Sequence, residues 1–204
     1  MLTVAIIDTG IANFGSIESA VGRAGGRPYI ARTPQEIEMA THLILPGVGS
    51  FDVALRTIEE LGLRDVLDAK ALDEKVPTLG ICLGMQLLGR SSDEGKLPGL
   101  GWLTGRTVKL LNKDLKVPHI GWNAVNWSTA NSLFDGIESG SRFYFVHSYH
   151  YETESKDEIA ARVDYGSEIV AVIKRGNILG TQFHPEKSRA AGLQLLRNFL
   201  QMTS

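Results

Sequence analysis

The feature that most limits the fold is an alternation of short apolar runs with helix-like segments in the first half of the chain. The opening run, residues 2–8, is followed by residues 14–24, where apolar side chains recur at helical spacing. Further apolar runs lie at residues 42–45 and 76–81. Strands that alternate with helices form a parallel sheet covered on both faces. In such sheets, chemistry gathers beyond the carboxyl ends of the strands.

The second half of the chain has a different pattern. Six strand-like segments, separated by Gly, Asn and Ser turns, lie at residues 107–111, 123–126, 142–146, 158–163, 169–174 and 178–183. These segments predict antiparallel additions to the sheet, and a last helix is expected over residues 188–201. A length of 204 residues fits one domain. We therefore predict a single α/β domain over residues 1–204, flavodoxin-like, with a mostly parallel central sheet and helices on both faces.

Composition excludes several classes of function. The 21 basic and 23 acidic residues nearly cancel, and no cluster of five Lys or Arg occurs, which argues against a nucleic-acid-binding surface. The N-terminus MLTVAIIDTG has no basic flank of a signal peptide. No run approaches the roughly 18 apolar residues that a membrane helix needs. We expect a cytoplasmic protein that binds neither nucleic acid nor membrane.

The single cysteine, Cys82, carries the strongest chemical signal. One cysteine forms neither an internal disulfide nor a structural zinc set, so Cys82 is either a core thiol or a nucleophile. It lies in Gly80-Ile81-Cys82-Leu83-Gly84, a nucleophile-elbow pattern at the junction of a strand and a helix. The helix N-terminus favours the thiolate, and the Leu83 N–H would point at an oxyanion. The elbow favours the nucleophile over a buried structural thiol.

A thiolate nucleophile needs an oriented imidazole as its base. The candidates are His42, His119, His147, His150 and His184. His184 follows an apolar run, so we expect it at the same edge of the sheet as Cys82. Glu186 is two residues further on, on the same side of an extended segment, and can hold the imidazole in one tautomer. We predict a triad of Cys82, His184 and Glu186; a polar turn that merely ends the strand is the alternative for His184-Pro185-Glu186.

The segment GICLGMQ with the distant HPE resembles the class I, triad-type glutamine amidotransferase family, over essentially the whole chain. Many members carry a Pro-Gly-Gly oxyanion segment, where this chain has Pro-Gly-Val-Gly-Ser-Phe at residues 46–51. That variant most closely resembles the glutaminase subunits of imidazole glycerol phosphate synthases. Residues 118–123 (PHIGWN), 146–149 (VHSY) and 184–188 (HPEKS) strengthen the resemblance.

The resemblance implies glutamine hydrolysis. Cys82 would form a glutamyl thioester, while His184 protonates the departing ammonia and then activates water. No metal or organic cofactor is expected, because the thioester carries the reaction. The glutamine-binding residues implied by the resemblance are Gly47, Gly49, Gln86, Ser148 and Tyr149. Without the resemblance, Gln86 would be interpreted as a helix-surface amide and Ser148-Tyr149 as an ordinary strand end.

The segment Gly47-Val48-Gly49 points to a switch in the oxyanion hole. Glycine tolerates positive φ, so glycines on both sides of Val48 let the adjoining peptide plane rotate. The Val48 N–H would then be the second oxyanion donor, moved in or out of place. Members of the resembling family are poorly active until their synthase partner is bound and loaded with ligand. The alternative is a plain tight turn after a strand.

The resemblance also implies a partner, the TIM-barrel cyclase subunit of imidazole glycerol phosphate synthase, in a heterodimer. Trp122, Tyr144 and Lys187 are the expected contacts, together with Asn13. Trp122 and Tyr144 can equally be core residues, and Asn13 can simply cap a helix. Three other functions remain open: the glutaminase of another synthase, such as that of pyridoxal phosphate synthesis, a stand-alone cysteine hydrolase or peptidase of related fold, and a catalytically silent binding module. The chain's length leaves no room for a synthase, so we expect that activity on a second chain.

Overall fold

The computed structural model describes residues 2–10, 12–111, 115–128 and 131–203. Its α-helices are α1 (Phe14–Ala24), α2 (Pro34–Glu38), α3 (Phe51–Glu60), α4 (Arg64–Asp68), α5 (Leu83–Leu87) and α6 (Arg189–Leu200). Its strands are β1 (Thr3–Ile7), β2 (Arg27–Ala31), β3 (His42–Leu45), β4 (Thr78–Ile81), β5 (Arg106–Lys109), β6 (His119–Asn126), β7 (Arg142–His147), β8 (Tyr149–Glu152), β9 (Ile159–Asp164), β10 (Glu168–Arg175) and β11 (Ile178–Thr181).

Within the described residues, nine strands form one sheet in the order β2-β1-β3-β4-β11-β10-β9-β6-β7. The first five of these run parallel, and the last four are joined by antiparallel pairing. Strands β5 and β8 form a separate antiparallel pair. The predicted α/β fold, with its parallel core and antiparallel additions, is confirmed. The carboxyl ends of β3, β4 and β11 lie side by side at one edge.

Alternate residues along β1 divide the core between the two faces of the sheet. Val4 and Ile6 belong to a cluster with apolar residues of α1 and α6, whereas Ala5 and Ile7 belong to one with residues of α2 to α5. A strand that is apolar on both faces is expected in the middle of a covered parallel sheet. The sheet is therefore a rigid platform, with its parallel strand ends free to carry a site.

Local signals explain where the helices begin and end. Asn13 caps α1 by accepting the Ser16 N–H at 3.3 Å, and Gly25 ends that helix in the left-handed region at φ 105°. Ser50 stands at the N-cap of α3 but makes no side-chain capping bond. The Phe51 N–H at that helix start is instead bound by the Glu94 carboxylate at 3.0 Å.

The second half departs in detail from the sequence prediction. Strand β6 begins at His119, four residues earlier than expected, and β8 was not predicted. Glu186 is not on an extended segment, because residues Pro185–Lys187 form a 3₁₀ turn. Proline, with its fixed φ and missing N–H, is well suited to open such a turn. In the described part of the chain, no helix is long and apolar enough to cross a membrane.

Candidate active site

Cys82 lies at a sharp turn between β4 and α5. Its backbone adopts φ 54° and ψ −105°, a conformation that non-glycine residues rarely hold. Such strain persists only where the surrounding structure enforces it, and it clusters at functional sites. The thiol is 6% exposed and stands at the N-terminus of α5, where backbone N–H groups have no partner within the helix. The predicted elbow geometry is present.

The two flanking glycines are required because the turn is so tight. A Cβ on Gly80 would lie 2.6 Å from the backbone of Gly84, and a Cβ on Gly84 would collide with the Leu45 carbonyl at the end of β3. The elbow thus packs in direct contact with the end of β3. This close packing keeps Cys82 in its strained conformation.

His184 and Glu186 form the second part of the site. His184 follows β11, the strand next to β4, and its Nδ1 lies 2.7 Å from Oε1 of Glu186. The two side chains are 3% and 1% exposed. The backbone of this turn is tied to β7, since the His184 N–H donates to the Tyr144 carbonyl at 2.9 Å and the Tyr144 N–H donates to Ser188 Oγ at 3.0 Å. The carboxylate therefore holds the ring with Nε2 free.

The electrostatics of His184 fit a proton carrier. Burial by itself lowers the pKa of His184, but hydrogen bonding and charge from Cys82 and Glu186 outweigh it and raise that pKa to about 9. Nε2 of His184 makes no well-aligned hydrogen bond with the described residues. The thiol of Cys82 instead lies 3.7 Å from the Val146 carbonyl, to which it can donate. The thiol and imidazole are thus close enough to interact but are not yet aligned for proton transfer.

A cavity of about 320 Å³ opens in front of Cys82. Its walls include most of the predicted glutamine-binding residues, namely Gly49, Gln86, Ser148 and Tyr149. The Gln86 Nε2 donates to the Tyr149 carbonyl at 2.9 Å, which joins α5 to β8 across the pocket. Gln86 is therefore a buried amide rather than a helix-surface one. Gly47 is not part of the cavity lining.

The segment after β3 carries the predicted oxyanion donor. Val48 and Leu83 both line the cavity. Gly49 has φ 105°, but this angle belongs to the Val48–Gly49 peptide, whereas the Val48 N–H lies in the Gly47–Val48 peptide. Gly47 is not among the glycines of positive φ. A Cβ on Gly47 would lie 2.8 Å from Cβ of Leu83. Glycine is therefore needed at position 47 because this segment packs closely against the elbow at Leu83. The sequence predicted glycine there for a different reason, a positive φ.

Two residues of the site were not found from sequence. Gln182 is fully buried, lies 3.8 Å from the Cys82 sulfur through Nε2, and accepts from Gln86 at 3.2 Å. Glu94 lines the cavity. Burial and the nearby charge of Asp52 raise the pKa of Glu94, whereas the hydrogen bond from the Phe51 N–H lowers it; the net shift is upward. Gln182 stands two residues before His184 and could have been noticed there; nothing in the sequence around Glu94 distinguishes it from a loop acid.

The residues predicted to contact a partner form a cluster beside the site. Trp122 and Tyr144 are cross-strand neighbours on β6 and β7, with ring centroids 5.9 Å apart. Lys187 lies over the Tyr144 ring at 5.9 Å, and Arg189 lies over the Trp122 ring at 4.9 Å. All except Arg189 are half-buried, so Trp122 and Tyr144 are not core residues. Asn13 caps α1 and lines a different cavity beside Glu186.

The described residues contain no group of three or more His, Cys, Asp or Glu side chains arranged to hold a metal ion.

The comparison of the chain with known families is decisive. The model of the family described as "Glutamine amidotransferase class-I" matches residues 5–202. The chain belongs to the class-I glutamine amidotransferase family.

Within this family, the chain is similar over nearly its full length to curated proteins named HisH. The chain is 48% identical to "Imidazole glycerol phosphate synthase subunit HisH 2" of Methanococcus maripaludis, with 97% of this chain and 98% of the relative covered. It is 43% identical to "Imidazole glycerol phosphate synthase subunit HisH" of Leptospira interrogans, over 98% and 100% of the two chains. The HisH 2 protein of Pseudomonas aeruginosa is 41% identical over 98% and 99%.

Solved structures support the fold. A crystal structure described as a glutamine amidotransferase superposes with a TM-score of 0.76 at 21% identity, covering 97% of each chain. PurLQS from Thermotoga maritima gives a TM-score of 0.75 at 19% identity, covering 98% of this chain and 97% of its own. At these identities the likeness concerns the fold alone.

Proposed function

We propose that the chain is the glutaminase subunit of an imidazole glycerol phosphate synthase. It hydrolyses glutamine to glutamate and ammonia and delivers the ammonia to a cyclase chain in histidine biosynthesis. One observation carries the proposal: a strained elbow cysteine stands beside a buried histidine that is oriented by a carboxylate at 2.7 Å. Near full-length similarity to HisH subunits supports the choice of synthase.

The first chemical step forms a thioester. The Cys82 thiolate attacks the side-chain amide carbon of glutamine, and the C–N bond breaks as His184 gives its proton to the departing ammonia. A raised pKa of His184 keeps that proton on the ring until the amide nitrogen departs. Glu186 holds the ring by its Nδ1, so that Nε2 faces the reaction.

The second step releases glutamate. His184, now neutral, takes a proton from water, the hydroxide attacks the thioester carbon, and the C–S bond breaks to restore the thiolate. Both steps pass through an oxyanion, which the backbone N–H groups of Leu83 and Val48 would stabilise. Both residues line the cavity. Water and glutamine thus yield glutamate and ammonia with no group left on the protein.

The cavity supplies the contacts that glutamine needs. Gln86, Ser148, Tyr149 and the Gly49 backbone surround the substrate's amino-acid end. Glu94 adds a carboxylate to this wall, and we propose that it pairs with the α-ammonium group of glutamine. Gly47 supports this arrangement indirectly, through its close approach to Leu83.

The oxyanion segment is proposed as the regulatory element. The Val48 N–H lies in the Gly47–Val48 peptide, which turns about ψ of Gly47 and φ of Val48, and the conformational freedom of glycine at position 47 eases that rotation. Loss of one oxyanion donor costs ~100- to 1,000-fold in rate, so a turned-away Val48 N–H would keep the isolated chain slow. Equal glutaminase activity of the isolated chain and of the ligand-loaded complex would contradict this role.

The cyclase is proposed to dock on the cluster of Trp122, Tyr144 and Lys187. Half-buried aromatic side chains flanked by cations are typical interface anchors. Arg189 extends this surface. The cluster is joined to the site directly, because the His184 N–H donates to the Tyr144 carbonyl. Asn13 is a weaker member of the interface, since its side chain is engaged in capping α1.

The proposal is tested by glutamate release from glutamine. The purified chain is assayed alone and with a cyclase chain plus the cyclase's ribonucleotide substrate. We expect slow release from the chain alone and a rise of at least ~100-fold in the loaded complex. Cys82→Ala should abolish release in both and leave cyclase binding intact. Full activity of Cys82→Ala would contradict the mechanism, and no response to any cyclase would contradict the partner.

A further inference from the structure

Two hydrogen-bonded histidines lie at the glutamine pocket and have no part in the chemistry proposed above: His147 lines the cavity, and His119 stands behind it. His119 on β6 and His147 on β7 are cross-strand partners, and Nδ1 of His119 lies 2.9 Å from Nε2 of His147. The residues are only 1% and 6% exposed. The His119 ring is also stacked on Phe145 and Tyr165, at centroid distances of 4.7 and 3.8 Å. The pair is held rigidly between strands.

The direction of the hydrogen bonds follows from one carbonyl. Nδ1 of His147 lies 2.9 Å from the Tyr149 carbonyl, which can only accept, so His147 carries its proton on Nδ1. A neutral His147 then accepts at Nε2, and His119 donates from Nδ1. Nε2 of His119 must in turn accept, which is met by the Asn123 amide nitrogen at 2.9 Å. All bonds run one way, from Asn123 to Tyr149.

The surroundings keep both rings neutral. Burial lowers the pKa of His119 to about 4. Burial, with the charges of His119 and other nearby histidines, lowers the pKa of His147 to about 3. A neutral imidazole has one donor and one acceptor, so it passes on hydrogen-bond direction without carrying charge. Each ring uses both nitrogens in this way.

The series of bonds continues into the glutamine pocket. The Tyr149 carbonyl that accepts from His147 also accepts from Nε2 of Gln86 at 2.9 Å. Gln86 Nε2 lies 3.2 Å from Gln182 Oε1, and Gln182 Nε2 lies 3.8 Å from the Cys82 sulfur. The Tyr149 carbonyl is therefore fixed from two sides. Its position sets that of the Gln86 amide.

We propose that His119 and His147 are positioning residues, a one-directional relay that begins at Asn123 and fixes the Tyr149 carbonyl and the Gln86 amide for glutamine binding. The inference rests on the proposed function, because it assigns the relay to that same pocket. The relay starts one residue from Trp122, on the strand that carries the proposed cyclase surface. Neither histidine touches the reacting atoms in this assignment.

The tautomers give a test that needs neither activity nor a variant. In ¹⁵N NMR spectra of the full chain at neutral pH, both His119 and His147 should show a protonated Nδ1 and an unprotonated Nε2. Replacement of the donor amide by an acceptor in Asn123→Asp should move the titration of His119 to higher pH, since both ring nitrogens must then donate. A proton on Nε2 of either histidine in the wild-type chain would overturn the relay.

Protection of the single cysteine measures the effect on binding. Iodoacetamide alkylates Cys82, and L-glutamine should slow that reaction in the wild-type chain. In His147→Phe, the glutamine concentration for half-protection, measured against that variant's own alkylation rate without glutamine, should rise about tenfold. His147→Asn, whose amide can replace the Nδ1 donor, should restore most of the protection. His42→Phe removes another buried histidine, at the far end of β3, and should match the wild type.

The outcomes separate the two proposals. Absence of glutamine protection in the wild type would contradict the proposed function and leave the NMR result standing. Protection in the wild type that is unchanged in His147→Phe would overturn the relay alone. A tenfold loss in His147→Phe, rescued by His147→Asn, would support both.

Discussion

Two histidine environments lie a short distance apart at this site, and they have opposite electrostatics. His184 and His147 are both almost fully buried, yet the pKa of His184 is raised to about 9 and that of His147 is lowered to about 3. His184 faces a carboxylate and a thiol, whereas His147 faces a neutral ring and a carbonyl. The partner, not the burial, therefore decides which histidine can hold a proton.

Because their pKa values differ, the two histidines are suited to different roles at the site. A histidine that holds a proton next to a thiol can transfer it to a leaving group. A histidine that stays neutral can only orient what it touches. Cys82, His184 and Glu186 are accordingly proposed for the chemistry, and His119 with His147 for the geometry of the pocket.

The largest expected effect comes from removing the carboxylate. Glu186→Gln leaves the shape of the side chain but takes away its charge, so the pKa of His184 should fall below about 9, with Cys82 alone left to oppose the effect of burial. We expect glutaminase kcat in the cyclase complex to fall by about 10,000-fold, the scale of losing the acid of a triad. Quenched glutamate assays and NMR titration of His184 measure the two effects.

Glu152→Gln is the matched control, because Glu152 is exposed on β8 and its carboxylate forms a long ion pair, at 3.9 Å, with Arg106. It should leave the titration of His184 unchanged. An unchanged pKa of His184 in Glu186→Gln would show that the carboxylate does not contribute to raising it.

Stability should fall on both sides of about pH 6.5, the ordinary pKa of histidine. Above it, the folded chain keeps the His184 proton that the unfolded chain has lost, so this stabilisation disappears as pH rises through about 9. Below it, the unfolded chain protonates His119 and His147 while the folded chain does not, so stability falls towards pH 4. Each unmatched proton changes the unfolding free energy by about 1.4 kcal/mol per pH unit.

Urea unfolding as a function of pH checks these two arms. Glu186→Gln should flatten the alkaline arm only, and His147→Phe should reduce the slope of the acid arm only. If both variants changed the pH dependence of the unfolding free energy on the same side of about pH 6.5, the two histidines would not have opposite electrostatics.

The smallest effect is expected at Gln182, which touches both environments. Its side chain bonds to Gln86 on the pocket side and approaches Cys82 on the chemical side. Gln182→Leu should lower kcat/KM about tenfold in the cyclase complex, because a buried amide link is lost without loss of the triad. Unchanged kinetics would show that the two environments act independently.

Local patterns made the chemical half of the site predictable. The elbow around Cys82 needs only the five residues from Gly80 to Gly84, and the strand–helix alternation placed it beside the end of β11. Glu186 was assigned to an extended segment and lies in a 3₁₀ turn, yet its carboxylate reaches the imidazole in either case. Short-range geometry tolerated that error.

The pocket wall was less predictable because it depends on pairing between distant segments. Nothing in the local sequence shows that His119 faces His147, a register set by β6 and β7 across 28 residues. Strand β8 is short and polar at alternate positions, so its pairing with β5 gave no clear signal. Glu94 enters the pocket from a loop whose path depends on its contact with the start of α3.

The central claim is that glutamine is hydrolysed through a thioester on Cys82. Acid quenching of the cyclase-bound chain during turnover of L-glutamine, followed by peptide mass spectrometry, tests it most directly. We expect the mass of one glutamyl group on the peptide that contains Cys82, and its disappearance when glutamine is exhausted. Rapid glutamate release with no adduct on Cys82, and with Cys82→Ala still active, would contradict the account.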